Sequence, residues 1–389
     1  MKSNWKTVKL QELGRVVGGA TPSTKNEAFY GGSIPWLTPK DLADYSERYI
    51  SKGERSITEE GLNSCSTELL PAGTVLFSSR APIGYVAIAS NPICTNQGFK
   101  SVVPDTGVVD PLFLYYLLVF NKEKIKSAGS GTTFKEVSGN VMKNIEVEIP
   151  TSVDYQRKIA QILGSIDNQI ESNARINKNL LDLIDTVFKQ KILKNPSMTT
   201  WKQKSLLDIA TFQNGLPMQK FRPHENEEHP LKVIKIKELS NKGFSETSEL
   251  CSATIDKRQI VNDGDLLFSW SGTLLADFWT GGSGGLNQHL YKVTPKNYPI
   301  WFIYCWLKYH LREFQSIAKA KATTMGHIKR SDLENAAVYI PPVEELESLN
   351  KLLNPIQRNL IVNRITSRTL SKTRDELLPQ LLSGEIEIQ

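Results

Sequence analysis

The chain has 389 residues, 40% hydrophobic and 23% charged, with a net charge of +6. It therefore lacks the low hydrophobicity and charge blocks of a disordered protein. Its longest apolar run, Phe113 to Phe120, is far short of the roughly 20 residues a bilayer span needs. Cys65, Cys94, Cys251 and Cys305 are too dispersed for a zinc cluster or a dense disulfide framework, so a cytoplasmic protein without membrane association is expected.

In chain order, residues 1–151 alternate short β-like runs with turn signals at Gly31-Gly32, Thr38-Pro39, Pro71-Ala72-Gly73 and Asn91-Pro92. Only residues 112–128 have a helical pattern, so this first domain is predicted to be α+β. The period changes over residues 152–195. Ile159, Ile162, Leu163, Ile166, Ile170, Ile176, Leu180, Leu183, Ile184 and Val187 recur at three- and four-residue spacing, the mark of a long amphipathic helix. A second mixed domain is predicted over 196–341, with strands at 231–236 and 266–268, a loop at 281–285 and an apolar helix near 299–317. Residues 342–389 return to the helical period with Leu349, Leu352, Leu353, Ile356, Leu360, Leu370 and Leu377. Gly164-Ser165 and Asn354-Pro355 occupy equivalent steps, where both helices are expected to kink or restart.

The second half repeats the first. Trp5-Lys6, Leu10, Leu13 and Gly19 return as Trp201-Lys202, Leu206, Ile209 and Gly215, displaced by 196. Gly73, Phe77, Ser78, Asn96 and Gln97 return as Gly264, Phe268, Ser269, Asn287 and Gln288, displaced by 191, and so do Thr132-Thr133, Val137, Val147, Ile149 and Pro150 as Thr323-Thr324, Ile328, Val338, Ile340 and Pro341. One order at nearly one offset indicates a duplicated unit. Two long helices of this kind are expected to pack antiparallel as a coiled coil. With Ile159 at heptad position a, the same position holds Asn173 in one helix and Asn363 in the other. A buried Asn fixes register by hydrogen bonding, so Asn173 is expected opposite Asn363, unless each sits at a wet edge.

Two divergent globular modules, each followed by a similar helix, resemble the specificity subunit of type I restriction-modification systems. The likeness rests on Trp5, Leu10 and Gly19-Ala20-Thr21-Pro22, on Ile34-Pro35-Trp36, on Pro71 to Phe77, on Asn96-Gln97 and on Gly131-Thr132-Thr133. It continues with Ile149-Pro150 before the first helix and Leu377-Leu378-Pro379-Gln380-Leu381-Leu382-Ser383-Gly384-Glu385-Ile386 at the end. The family's Glu-Gln after the proline is here Tyr155-Gln156, and the second half has Glu344-Glu345-Leu346. The resemblance implies two target-recognition domains joined by two long antiparallel helices that form a coiled-coil spacer, with internal pseudo-two-fold symmetry. Each domain would read one half of a bipartite target in double-stranded DNA. The partners implied are two methylation subunits and, through them, a restriction motor-nuclease subunit; no cofactor or chemistry of its own is implied. A helix from about 166 to 192 would be about 40 Å long, comparable with the ~34–36 Å between half-sites one DNA turn apart.

Base reading needs donors and acceptors in the groove, and phosphate contact needs cations and hydroxyls beside them. Polar residues near turn signals are therefore the candidates. In the first module these are Thr21, Lys25, Thr38, Lys40, Arg80, Gln97, Thr133 and Lys135; in the second, Lys220, Arg222, Lys235, Lys237, Ser271, His289, Lys321, Thr324, His327, Lys329 and Arg330. A basic loop residue is also commonly just solvated, and the repeated Thr-Thr could instead form a cap or turn. Asn96-Gln97 and Asn287-Gln288 could pair with adenine edges, yet modules reading different half-sites should differ where bases are read. Their recurrence favours a structural role, as does that of Trp5/Trp201 and Phe77/Phe268; Trp270 and Trp279 are not so constrained, though aromatics are more often core.

No catalytic signature is present. Asn91-Pro92-Ile93-Cys94, Asp110-Pro111-Leu112-Phe113 and Ile340-Pro341-Pro342-Val343 all fail the pattern an adenine methyltransferase needs, and there is no Walker loop, HExxH or nucleophilic triad. Asp263-Gly264-Asp265 reads as a turn before a strand rather than a metal site. A non-catalytic DNA-recognition subunit is the expectation, and a duplicated protein-interaction scaffold is the alternative.

Overall fold

The computed structural model describes residues 4–43, 45–80, 82–131, 135–320 and 326–388. Two units share the chain, one made of residues 1–171 with 370–389 and the other of residues 172–369. Among the described residues no helix is long and apolar enough to cross a membrane.

In the first unit, Trp5–Lys9 pairs antiparallel with Glu146–Pro150. A five-stranded sheet has the order Gly14–Gly18, Lys100–Pro104, Val75–Phe77, Val86–Ala89, Tyr49–Ile50, and a three-stranded sheet the order Arg55–Ile57, Tyr30–Leu37, Cys94–Thr95. The expected helix over 112–128 is two helices, Pro111–Phe120 and Lys122–Ser127. Asp110 starts the first by accepting from the amides of Leu112 and Phe113, with Pro111 at the first helical position. Its Phe113, Leu114 and Leu117 are buried against Val75, Phe77, Ile88 and Val102 of the sheet and Ile159 and Leu163 of the first long helix, in a core that Leu381 and Leu382 close.

The second unit follows the same plan. Lys202–Ser205 pairs with Ala337–Ile340. One sheet runs Ala210–Asn214, Leu290–Pro295, Leu266–Ser269, Ala276–Phe278, and the other Leu250–Cys251, Leu231–Ile234, Gly284–Leu286, Ile260–Val261. The apolar helix is Ile300–Ala320. Two expectations fail here. The strand expected over 231–236 ends at Ile234, because Lys235 caps a new helix, Ile236–Asn241, donating its amide to the Glu238 carboxylate at 3.2 Å. The expected loop over 281–285 gives way at Gly284 to the strand Gly284–Leu286. Its glycines serve close packing rather than turning: a Cβ on Gly284 would lie 2.7 Å from the Lys232 carbonyl, and one on Gly285 2.5 Å from Cys251 Sγ.

Both long helices, Val153–Phe188 and Val343–Leu382, run unbroken. Of the kink or restart expected at Gly164-Ser165 and Asn354-Pro355, the restart does not occur. Burial of Ile159, Ala160 and Leu163 in one unit, and of Leu349, Leu353 and Leu360 in the other, holds the helix where propensity alone would end it. In the second unit the helical segments are antiparallel, but their register differs from that expected. Asn173 Nδ2 donates to Ser367 Oγ at 3.1 Å and Asn363 Nδ2 to Asn177 Oδ1 at 3.2 Å. Asn173 is thus level with Ser367, one helical turn from the Asn363 that heptad counting placed opposite it. Each amide sits beside the equivalent step of the other helix, since 177 and 367 are themselves displaced by 190. In the first unit the segments are antiparallel too, with Arg374 on Asp167 at 2.7 Å and the Ile388 amide on the Tyr155 hydroxyl at 2.9 Å.

Each module is fastened to a helix by arginine–carboxylate pairs, with Arg48 and Arg364 buried. In the first unit Arg48, 4% exposed, donates from Nε and Nη2 to the two oxygens of Glu171 at 3.0 and 3.2 Å, while its backbone amide also donates to Glu171 at 3.0 Å. Tyr116 donates to Asp167 at 2.6 Å beside it. In the second unit Arg364 donates to Asp277 and the Phe278 carbonyl at 2.8 and 3.1 Å, and Arg368 forks onto Asp263 at 2.8 Å. Burial raises the Asp263 carboxyl, but the hydrogen bonds from Arg368 and the Gly282 amide outweigh it and hold the group below the usual value.

Removing one partner of a buried pair strands the other charge, so Arg48→Ala is expected to cost about 3 kcal/mol or more in urea unfolding; an unchanged midpoint would refute the fastening. Because Asp263 is depressed, its contribution is present above the ordinary carboxylate pKa and is lost as pH falls through the lower folded value. Asp263→Asn should therefore be less stable than the parent chain at neutral pH, and that difference should vanish in acid; a difference independent of pH would contradict the pairing.

Candidate nucleic-acid interface

One crossing of the chain recurs in both units. Gly19 passes so close to the start of the Asn96 turn that a Cβ would lie 2.1 Å from the Thr95 carbonyl, and a Cβ on Gly215 would lie 2.2 Å from the Asn287 carbonyl. Asn96 Oδ1 accepts from the Gly98 amide at 2.8 Å, and Asn287 Oδ1 from the His289 amide at 3.2 Å. The repeated Asn therefore builds an Asx turn beneath an obligatory glycine. Phe77 and Phe268 are fully buried beside these turns.

Above this shared turn the two units place different chemistry. The Ser79 amide donates to the Gly98 carbonyl at 2.7 Å and the Val137 amide to the Ser79 carbonyl at 2.9 Å; in the second unit Trp270 donates to His289 at 3.3 Å and Ile328 to Trp270 at 3.0 Å. Antiparallel bridges pair Arg80 with Glu136 and Ser271 with His327. Every one of these positions is displaced by 191, so the side chains compare one for one. In the first unit the cluster is ionic, with Arg80 Nη1 3.5 Å and Lys100 Nζ 3.7 Å from the Glu136 carboxylate. In the second it is aromatic: Ser271 Oγ is 2.8 Å from His289 Nδ1, and the Trp270 ring lies 5.9, 6.0 and 6.4 Å from those of His289, Tyr291 and His327. Trp270 Nε1 is held by Asn214 Oδ1 at 3.0 Å and the Gln288 carbonyl at 3.1 Å. Burial pushes the Tyr291 phenol up, partly offset by the charge of Arg330.

Of the candidates, the structure thus brings together Ser271, His289 and His327, with Arg330 close enough to act on Tyr291. Arg80 stands at the matching place in the first unit, and Thr21 donates to Gln97 at the rim of the Asn96 turn. Others are set in local roles. Thr38 caps the turn Pro39–Leu42 through Asp41 at 2.8 Å, Lys40 pairs with Glu54 at 3.1 Å, Lys235 pairs with Glu249, and the Lys329 amide caps through Asp332 at 2.7 Å. Lys25, Lys135, Lys220, Arg222 and Lys237 are exposed. Thr133, Lys321 and Thr324 lie outside the described residues. Lys100, Glu136, Trp270 and Tyr291 were not among the candidates. Aligning the halves at the 191 displacement and asking where they differ, rather than where they agree, would have found all four. Trp279 is core, fully buried.

A model of the type I restriction modification DNA specificity domain matches residues 2–182 and again residues 198–367. The chain belongs to this family. It is a specificity subunit, with one such domain in each half, and not one of the catalytic subunits of such a system. The type I restriction enzyme MjaIX specificity subunit of Methanocaldococcus jannaschii is 35% identical to it, over 99% of this chain and 94% of that protein. The EcoR124I/EcoR124II specificity subunit of Escherichia coli is 31% identical over 43% of this chain and 42% of its own. In fold, the specificity subunit resembles the S subunit of a type I restriction-modification system from M. genitalium, with a TM-score of 0.62 at 16% identity, covering 99% of this chain and 97% of that one.

The crossing glycine can be tested directly. Gly215→Ala should lower the melting temperature well below that of Gly243→Ala, whose Cβ would meet nothing within 4 Å and whose effect should stay within about 1 kcal/mol. Equal melting temperatures for the two variants would show that the crossing tolerates a side chain.

Proposed function

We propose that the chain is the sequence-specific DNA-recognition subunit of a type I restriction-modification complex, with one recognition domain for each half of a bipartite target. The observation that carries this reading is the pair of clusters above the Asn96 and Asn287 turns, with one backbone scaffold but different side chains. A structural cluster would keep its chemistry in both copies; a pair of readers facing different half-sites must not. We assign the domains as residues 1–151 and 196–341, joined by the helical segments 152–195 and 342–389. The base- and phosphate-contacting residues are drawn from the candidates grouped around the two clusters, chiefly Arg80, Ser271, His289, His327 and Arg330.

The long helices serve as an antiparallel coiled-coil spacer with an approximate internal two-fold axis. Support comes from the Asn173–Ser367 and Asn177–Asn363 pairs, which exchange places under a displacement of 190. The helices also dock two methylation subunits, one on each unit, and through them the restriction motor-nuclease subunit, in the cytoplasm. Ile162 in the first unit and Leu352 in the second support this, as equivalent positions that are both exposed and apolar.

Exchanging residues 1–151 for those of a relative with another target, and mapping the methylated sites in cells that carry the partner subunits, should change one half of the target and leave the other. A change in both halves, or in neither, would overturn the assignment. DNA affinity should also fall by orders of magnitude between 50 and 200 mM salt; a salt-insensitive interaction would point to a protein-binding scaffold instead.

A further inference from the structure

We propose that Arg80 and Glu136 of the first unit together read a G·C base pair from the major groove, a proposal that rests on the DNA-recognition reading above. The two residues are bridged opposite each other on antiparallel segments, so their side chains leave the same face as neighbours. Both remain accessible, at 34% and 39% exposure. An ion pair this exposed contributes only about 0–1 kcal/mol to stability, and the second unit, with Ser271 and His327 at the same positions, folds without it. Stability therefore does not account for the pair.

The arrangement matches a particular edge. In the major groove a G·C pair offers two acceptors, guanine N7 and O6, beside one donor, the cytosine N4 amino group. A guanidinium donates to the first two, and an adjacent carboxylate accepts from the third. An A·T pair offers acceptor, donor, acceptor and would require a second donor on the far side of Glu136. Lys100 is the cation there, but its ammonium is turned inward. It is 15% exposed, 3.4 Å from the carbonyls of both Gln97 and Phe99 and 3.7 Å from Glu136. Lys100 thus holds the carboxylate in place and is withheld from the groove, leaving two functional groups, one donating and one accepting. The second unit cannot present this pattern, since Ser271, His289 and His327 bring no carboxylate and Tyr291 replaces Lys100.

The test uses the chain with its methylation subunits. Exchange of residues 1–151 first identifies which half of the methylated target the first module reads; if neither half changes, the recognition reading itself fails. Methylated sites are then mapped for Arg80→Ala and Glu136→Gln. The expected result is that one G·C position in that half loses its discrimination by about tenfold or more in both variants. Unaltered methylation of the other half serves as proof of folding. In binding measurements, 7-deazaguanine at that position should weaken the parent chain and leave Arg80→Ala unaffected. The proposal is overturned if the relaxed position is A·T, if that half contains no G·C pair, or if Arg80→Ala lowers affinity for all sequences alike while the target stays unchanged, which would make Arg80 a phosphate contact.

Discussion

The bond between an arginine and a carboxylate, linking each module to a long helix, is the constraint on which the rest of this structure depends. Two guanidinium N–H groups meeting the two oxygens of Glu171 fix an angle as well as a distance, and Arg368 on Asp263 does the same in the second unit. Such pairs are poor sources of net stability, because desolvation consumes most of their attraction. Burial alone would lower Arg48, yet Glu171, Tyr116 and Asp167 hold its guanidinium above the usual value. What the bond supplies is orientation. A module gripped by apolar packing alone could slide by a fraction of a side chain, whereas a forked ion pair has one geometry.

The two units reach this end with unrelated residues. In the first, the arginine belongs to the module and the carboxylate to the helix; in the second, Arg364 and Arg368 belong to the helix and Asp277 and Asp263 to the module. The duplicated halves thus keep the requirement and not the residues. This is also why the fastening could not be read from the sequence. Nothing about Arg48 or Glu171, separated by more than a hundred residues, marks them as partners, and no repeat position links them to Arg364 and Asp277.

What was legible follows from periodicity and repetition. The helices of residues 153–188 and 343–382 are written in their apolar spacing, and the shared plan of the modules in landmarks such as Phe77/Phe268 and Gly19/Gly215. Where tertiary contacts decide, the sequence misleads. Glycines at 284 and 285 look like a loop but are needed because a neighbouring carbonyl and a thiol approach too closely for any Cβ. Pro355 looks like a helix end, but the burial of Leu353 and Leu360 on either side keeps the helix going. Heptad counting placed an Asn at the right face of each helix and missed the register by one turn, since an amide can satisfy itself on a serine or another Asn as readily as on its repeat partner.

The same distinction between scaffold and contents governs the clusters above the Asn96 and Asn287 turns. Gly19 and Gly215 admit the chain at one distance, Asn96 and Asn287 turn it in one way, and the residues that follow are delivered to the same place in both halves. The positions that must not vary are glycine, Asn and buried Phe, whose roles are steric or local. The positions that differ, 80, 100 and 136 in one half and 271, 291 and 327 in the other, surround this scaffold and carry different chemistry in the two copies. A fold arranged in this way can change what it recognises by substituting a handful of side chains, with no change to the core. It follows that in a duplicated reader the informative residues are those at which two otherwise parallel halves disagree.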